Sequence, residues 1–254
     1  MLDIRRDPND HGGTVLRLTL DRPEVRNAFD DHLVAALTEA ITGDLTGVRA
    51  LVISGNGKAF SAGGDANWMR RTAGLSHAEN VEDAGRVAAL FAAIESAPVP
   101  TIAAIHGACF GGGCGIAAAC DLALAEEGAT FAFSEVRLGL IPATISPFVV
   151  RRIGLGHARS LFVSGAPFGA AEALRIGLVG RVVPAGELAS AVEETLAGLM
   201  RNAPAAMAAA RALALEGPLS LDDAARRLAD ARASDEGREG VAAFLEKRTA
   251  TFAN

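Results

Sequence analysis

Apolar and polar residues alternate from Thr14 to Leu20. Leu16, Leu18 and Leu20 fall on one side and Val15, Arg17 and Thr19 on the other, which predicts a strand. Asp21-Arg22-Pro23 breaks it. The spacing of Leu33, Leu37, Ala40 and Ile41 then predicts a helix with an apolar stripe, capped by Asp30 or Asp31 and ended by Gly43 to Gly47. Ala50 to Ile53 and Ile102 to Ile105 are short, unbroken apolar runs and predict buried strands. Between them, Val81 to Ile94 reads as a helix with Val87, Leu90, Phe91 and Ile94 inward. Residues 69 to 79 are polar, poorly patterned and expected to be a mobile surface segment.

Gly111-Gly112-Gly113 follows the second apolar run, and a small-residue helix is expected from Ile116 to Ala119. Asp121 to Ala125 and Thr130 to Ser134 predict two more strands. Ser146-Pro147 has the form of an N-cap followed by proline at the first helical position. Short helices are expected over Leu155 to Val163 and Ala170 to Ile176, and a last strand over Arg181 to Pro184. From Glu187 the pattern is helical throughout: Leu188 to Met200, Pro204 to Leu215, Leu221 to Ala233 and Glu236 to Arg248. The chain therefore divides into a mixed α/β core, residues 1–186, and a helical region, residues 187–254.

Composition sharpens this picture only in places. Half of the 254 residues are hydrophobic and the net charge is -6. An acidic chain without a run of Lys or Arg lacks the electrostatic footprint of a nucleic-acid binder. The opening M-L-D-I-R-R-D-P has no apolar core of a signal peptide. No apolar stretch approaches the roughly 20 residues of a membrane helix. Cys109, Cys114 and Cys120 lie in small apolar surroundings, and an odd count disfavours a disulfide framework. They read as reduced core residues of a cytoplasmic protein.

The chemistry centres on the glycine turn. Peptide N–H groups at a helix start have no intrahelical partner and carry the positive end of the helix dipole. Glycines let another group approach that backbone closely. The turn is thus either a tight crossing in a packed core or a set of donors aimed at developing negative charge.

Three motifs in fixed order weigh on that choice: R-P-E-V-R-N-A-F from Arg22 to Phe29, G-K-A-F-S-A-G-G-D from Gly57 to Asp65, and H-G-A-C-F-G-G-G-C-G from His106 to Gly115. Together with E-G-V-A-A-F-L-E-K-R near the C-terminus, they make nearly the whole chain resemble the enoyl-CoA hydratase/isomerase (crotonase) superfamily. The resemblance implies a spiral of ββα units with a C-terminal helical trimerisation region, giving homotrimers or dimers of trimers. It implies acyl-CoA thioester substrates, with coenzyme A arriving as part of the substrate and no permanently bound cofactor. By motif position the backbone N–H groups of Gly64 and Gly112 form an oxyanion hole for an enolate oxygen.

The family's hydratases commonly carry two glutamates. One falls at Glu135, and the other falls where this chain has Gly115. A carboxylate near Leu138, Leu140 and Ile141 is expected to have its pKa raised toward working pH, as proton transfer requires. One glutamate serves either hydration or movement of a proton from C2 to C4, an isomerisation. The run from Ser134 to Val150, with F-G-G-G-C-G, is most similar to methylglutaconyl-CoA and isohexenylglutaconyl-CoA hydratases, which also have glycine at the Gly115 position. Hydration of a branched enoyl-CoA, as in leucine breakdown, is therefore favoured over isomerisation. RNA binding, known for relatives of this fold, and an inactive member are the remaining readings.

For coenzyme A the resemblance points to the backbone from Arg26 to Ala28 and from Ala62 to Gly64, with Lys247 supplying charge to a neighbouring subunit's substrate. Asn67 stands where many members have a phosphate-binding lysine. Asp65 is assigned to bracing the oxyanion loop and Asp121 to a structural role. His106 reads as a satisfied core histidine. Arg151 and Arg152 either hold a distal carboxylate or lie on a polar helix face. Trp68 and Met69 either line the acyl pocket or pack in the core.

Overall fold

The computed structural model describes residues 1–9 and 13–253. Its strands are β1 Leu2–Pro8, β2 Thr14–Leu20, β3 Val48–Gly55, β4 Ala59–Ser61, β5 Thr101–Ile105, β6 Ala108–Phe110, β7 Leu122–Glu126, β8 Thr130–Ala132, β9 Phe168–Gly169 and β10 Arg181–Val183. Its helices are α1 Asp31–Thr42, α2 Ala66–Thr72, α3 His77–Ser96, α4 Gly112–Ala119, α5 Ser146–Ser164, α6 Ala170–Arg175, α7 Leu188–Met200, α8 Pro204–Glu216, α9 Leu221–Ala233 and α10 Asp235–Glu246.

The strands form two sheets, β1-β2-β3-β5-β7-β10 and β4-β6-β8-β9. In the larger sheet only β1 runs antiparallel to its neighbour, and in the smaller only β9 does. The chain passes from β3 to β4, from β5 to β6 and from β7 to β8, and each short strand is followed by a helical segment. Three successive ββα turns thus stack in register, which is the expected spiral.

Both faces of the large sheet are covered. Leu16, Leu18, Leu20, Leu51 and Ile53 join one core with α1, α3 and α4. Val15, Val52, Ile102, Ala104 and Leu124 join a second core against Leu188, Val192 and Leu196 of α7. Parallel strands buried on two faces read as continuous apolar runs, which is why β3 and β5 were legible without alternation. Arg211 of α8 ties the helical region to the core: it pairs with Asp121 at 2.6 Å and donates to the Ile94, Glu95 and Ala97 carbonyls. Asp121 in turn accepts from the Thr101 N–H and hydroxyl, a structural role as expected.

Several local expectations change. Residues 69–79 are not an unstructured stretch: α2 runs to Thr72 and α3 begins at His77. A reciprocal capping box starts α3, with the Ser76 hydroxyl accepting from the Glu79 N–H and the Glu79 carboxylate accepting from the Ser76 N–H. Helix α4 starts at Gly112, not Ile116, so two of the three glycines lie inside it. Ser146 is the first helical residue of α5 rather than its cap, and its hydroxyl donates to the Ala143 carbonyl. The segment 155–163 belongs to α5, beyond a kink at Gly154, whose φ of 77° breaks the helical path. All three cysteines are free and buried. Burial pushes the Cys120 thiol up to about 12 and raises Cys109 well above the ordinary thiol value. No helix among the described residues is long and apolar enough to cross a membrane.

Candidate active site

Two loops are zipped together by backbone bonds. The Ala62 N–H donates to the Arg26 carbonyl at 2.9 Å, the Phe29 N–H to the Gly63 carbonyl at 2.7 Å, and the Asp65 N–H to the Phe29 carbonyl at 2.8 Å. Phe29 and Gly64 form an isolated parallel bridge, in which Phe29 bonds the residues on either side of Gly64. The Gly64 N–H therefore stays outside the pairing. Arg26 and Asn27 both take the left-handed conformation, at φ 54° and 55°. Asn27 compensates for that backbone by bonding: its side chain accepts from the Arg22 N–H and donates to the Asn56 and Ala59 carbonyls.

Arg22 is the fastener of this unit. It pairs with Asp30 at 3.0 Å and Asp65 at 2.9 Å, and donates to the Ala28 carbonyl. Burial works against the Asp65 carboxylate, but donation from the Asn67 and Trp68 N–H groups and from Arg22 holds its pKa below the ordinary value. Asp65 thus caps α2 and braces the Gly64 loop. Its stabilising contribution is present above the ordinary carboxylate pKa and is lost as pH falls through the lowered one. Arg22→Met is expected to cost about 2 kcal/mol in urea unfolding at neutral pH, between the exposed and buried limits for ion pairs. The variant should also lose part of the wild type's destabilisation on acidification.

The second strand-to-helix crossing lies against the first. A Cβ on Gly63 would meet the Phe110 carbonyl oxygen at 3.5 Å, and a Cβ on Gly111 would lie 3.8 Å from the Gly63 Cα. Gly111 is at φ 50°, which an L side chain rarely adopts. Helix α4 begins immediately after it, and its first backbone bond is Gly115 N–H to Gly111 carbonyl at 3.0 Å. The Gly112 N–H precedes that bond and has no helical partner. The Gly112 Cα faces Phe29, whose Cε2 is 2.3 Å from the place a Cβ would take.

Glu135 enters on the third crossing. It opens a 3-10 turn, Glu135–Leu138, closed by Gly139 at φ 72°. Its Oε1 lies 3.0 Å from the Cβ position of Gly111, so the carboxylate sits on the glycine turn itself. Its Oε2 is buried without a partner, and burial raises its pKa. The cause differs from the sequence reading. Leu138, Leu140 and Ile141 are 61%, 52% and 73% exposed, so they form an apolar rim and do not bury the carboxylate.

The fold therefore joins Arg26, Ala28, Ala62, Gly64, Gly112 and Glu135 through contacting loops. Lys247 is elsewhere: it caps α10 in the left-handed conformation, and that helix packs chiefly on α8 and α9. His106 donates from Nε2 to the Gly57 carbonyl at 3.0 Å, at a half-buried position just past β5 rather than in the core. Arg151 pairs with Glu95, and Arg152 donates to the Cys120, Asp121 and Gly177 carbonyls, so both are engaged structurally. Trp68 packs against the main core. Among the described residues no cluster of His, Cys, Asp and Glu is placed to hold a metal ion. Arg22, Asn27 and Ser61 were missed by motif reading. Ser61 donates to the Asn27 carbonyl and accepts from the Gly63 N–H.

Crossings of successive ββα turns thus meet at the glycine turn, where the buried Glu135 carboxylate rests. The Enoyl-CoA hydratase/isomerase family matches residues 10–254, and the chain belongs to that family. It is 35% identical over 244 residues to a crotonyl-CoA hydratase of Syntrophomonas wolfei, covering 92% of this chain and 93% of that one. It is 34% identical over 250 residues to the 2,3-dehydroadipyl-CoA hydratase of Escherichia coli, covering 94% of each. The solved structure of Pseudomonas aeruginosa AtuE superposes with a TM-score of 0.92 at 40% identity, over 99% of both chains.

Proposed function

We propose that this chain is an enoyl-CoA hydratase that adds water across a 2-enoyl-CoA double bond, with Glu135 as its one acid/base group. The observation that carries the reading is the Glu135 carboxylate: one oxygen against the Gly111 turn, the other buried and unpaired, and its pKa raised by burial. Glu135 takes a proton from water as the water oxygen bonds to C3. The C2=C3 electron pair moves toward the thioester carbonyl, giving an enolate. The Gly64 and Gly112 N–H groups hold the enolate oxygen, where preorganised donors need no rearrangement. The enolate then collapses, and Glu135 returns its proton to C2.

The backbone of Arg26, Ala28 and Ala62 receives the coenzyme A portion, and the Leu138, Leu140 and Ile141 rim covers the acyl group. The substrate is a branched or distally carboxylated enoyl-CoA such as methylglutaconyl-CoA. The name of one relative, a 2,3-dehydroadipyl-CoA hydratase, supports a carboxylated acyl group. The three free, buried cysteines suit a reducing cytoplasm. Residues 1–186 form the catalytic core and residues 187–254 the assembly region. Leu221, Val241, Phe244 and Leu245 leave apolar surface on α9 and α10 uncovered, with Phe244 81% exposed, and this surface joins copies into a homotrimer or dimer of trimers. Lys247 then reaches the substrate of a neighbouring copy. Phe244→Asp is expected to shift the assembly to monomer in light scattering while leaving the circular dichroism spectrum unchanged. A variant that stays trimeric would remove this surface from the interface.

The single carboxylate also permits a second reading, transfer of a proton from C2 to C4 without water. Absorbance of the conjugated enoyl thioester separates the two. Crotonyl-CoA and 3-methylglutaconyl-CoA should lose absorbance. A gain with a 3-enoyl-CoA alone would make the protein an isomerase.

A further inference from the structure

We propose that Phe29 is a positioning residue for the two backbone donors: its main chain sets the Gly64 N–H, its ring sets the Gly112 N–H, and this one residue fixes their separation. The inference deepens the reading of those N–H groups as oxyanion donors and rests on it.

Phe29 closes the R-P-E-V-R-N-A-F motif, one residue beyond the Arg26 to Ala28 backbone proposed to receive coenzyme A. Its main chain engages the first glycine loop. The Phe29 N–H donates to the Gly63 carbonyl at 2.7 Å, and the Phe29 carbonyl accepts from the Asp65 N–H at 2.8 Å. In such a parallel bridge the residue between the two bonds, here Gly64, turns its own N–H and carbonyl away from the bridging strand. Phe29 therefore sets where the Gly64 N–H lies and which way it points.

The Phe29 side chain engages the second loop. A Cβ on Gly112 would stand 2.3 Å from the Phe29 Cε2 and 2.4 Å from its Cδ2, so one edge of the ring lies against the Gly112 Cα. Gly112 is the first residue of α4, and its N–H moves with its Cα. Ser61 ties the same loops one residue further on. Its hydroxyl donates to the Asn27 carbonyl and accepts from the Gly63 N–H, and its Cβ is 3.2 Å from the Cβ position of Gly113.

Phe29 is held from behind. It is 2% exposed. Arg22 grips both of its chain neighbours, donating to the Ala28 carbonyl and pairing with Asp30 at 3.0 Å. Asp30 is fixed in turn as the cap of α1, accepting from the Leu33 N–H at 2.8 Å. An aromatic ring has two side-chain torsions and no flexible end, so it keeps a distance well. Gly64 has a different neighbour on its other side, the terminal methyl of Met69, 2.6 Å from the Cβ position. A thioether chain adapts and fixes no distance. The rigid spacer between the donors is the Phe29 ring.

The experiment compares Phe29→Leu and Phe29→Met with Leu196→Ala, a buried truncation in the second core across the sheet. Its first readout is the absorbance band of bound 4-dimethylaminocinnamoyl-CoA, which moves to longer wavelength when donors polarise the thioester carbonyl. The melting temperature should fall in all three variants. The red shift should persist in Leu196→Ala and fall to about half or less in both Phe29 variants, with kcat down about 10-fold and KM changed by less than about 3-fold. The second readout is a double-substitution cycle. Gly112→Ala is expected to cost about 100-fold in kcat beside the wild-type ring and less than about 10-fold in Phe29→Leu, where its methyl takes the vacated space. A red shift kept in full by both Phe29 variants, or an equal cost of Gly112→Ala in both backgrounds, would overturn the role of Phe29. A wild type that gives no red shift would instead refute Gly64 and Gly112 as oxyanion donors.

Discussion

Glu135→Gln is expected to lower kcat by about 10³-fold, within the range for loss of a general acid/base. The amide keeps the shape and can still donate to water, but it cannot take the proton that water must lose. KM should change little, because in the proposed mechanism Glu135 acts at the reacting atoms and not on the coenzyme A portion. The same variant is expected to be more stable than wild type at neutral pH. Burial raises the folded pKa of Glu135 above its unfolded value, so the ionised form is penalised in the folded state. Below the unfolded pKa both states are protonated and no penalty exists. The penalty develops as pH rises from the unfolded pKa through the folded one, and it is complete above. The melting temperature of Glu135→Gln should therefore exceed that of wild type at about pH 8 and coincide with it at about pH 4. An inactive variant that is destabilised at every pH would instead indicate a structural carboxylate.

Gly112→Ala is expected to cost about 10²-fold in kcat, the scale of one lost oxyanion donor. A Cβ there would come within 2.3 and 2.4 Å of the Phe29 ring, which is buried and bonded through its backbone to Gly63 and Asp65. The start of α4 must shift, and its N–H shifts with it. Gly64→Ala should be far milder. Its Cβ meets only the flexible end of Met69, at 2.6 Å, and Gly64 is not held at positive φ. Steady-state kinetics on both variants check the contrast. Comparable losses in the two would mean that glycine itself is required at 64 for substrate approach.

The strands that carry the core were readable because each is an apolar run or a clean alternation: β2, β3 and β5 appear in the sequence almost as they fold. Helices α7 and α9 were readable to the residue, from their stripes and from the turns that bound them. The edge strand β1 was not, because it carries exposed Arg5 and Arg6 and only half-buried apolar contact with the core, through Leu2. Strands β4, β6 and β9 are three residues or fewer and are made by pairing across the spiral, which no local pattern encodes. The start of α3 carried a signal that was overlooked, Ser76 three residues before Glu79.

The site divides in the same way. Glu135 and the glycine turns stand in local motifs and were legible there. What holds them is not local: Arg22 meets Asp65 across 43 positions, and the space beside Gly115 is filled by Phe91 of α3 and Ile145 at the head of α5. Leu138, Leu140 and Ile141, close to Glu135 in sequence, were credited with its desolvation, yet they are exposed, while the carboxylate lies against Gly111, 24 positions away.

In the proposed hydration Glu135 directs water to C3 of a conjugated acyl thioester. Its most direct test is turnover of crotonyl-CoA and 3-methylglutaconyl-CoA in water enriched in oxygen-18, with wild type and Glu135→Gln. The expected result is a 3-hydroxyacyl product carrying one heavy oxygen from the wild type, at a rate reduced about 10³-fold by the substitution. A product with a shifted double bond and no heavy oxygen, or labelled product formed equally fast without the Glu135 carboxylate, would contradict it.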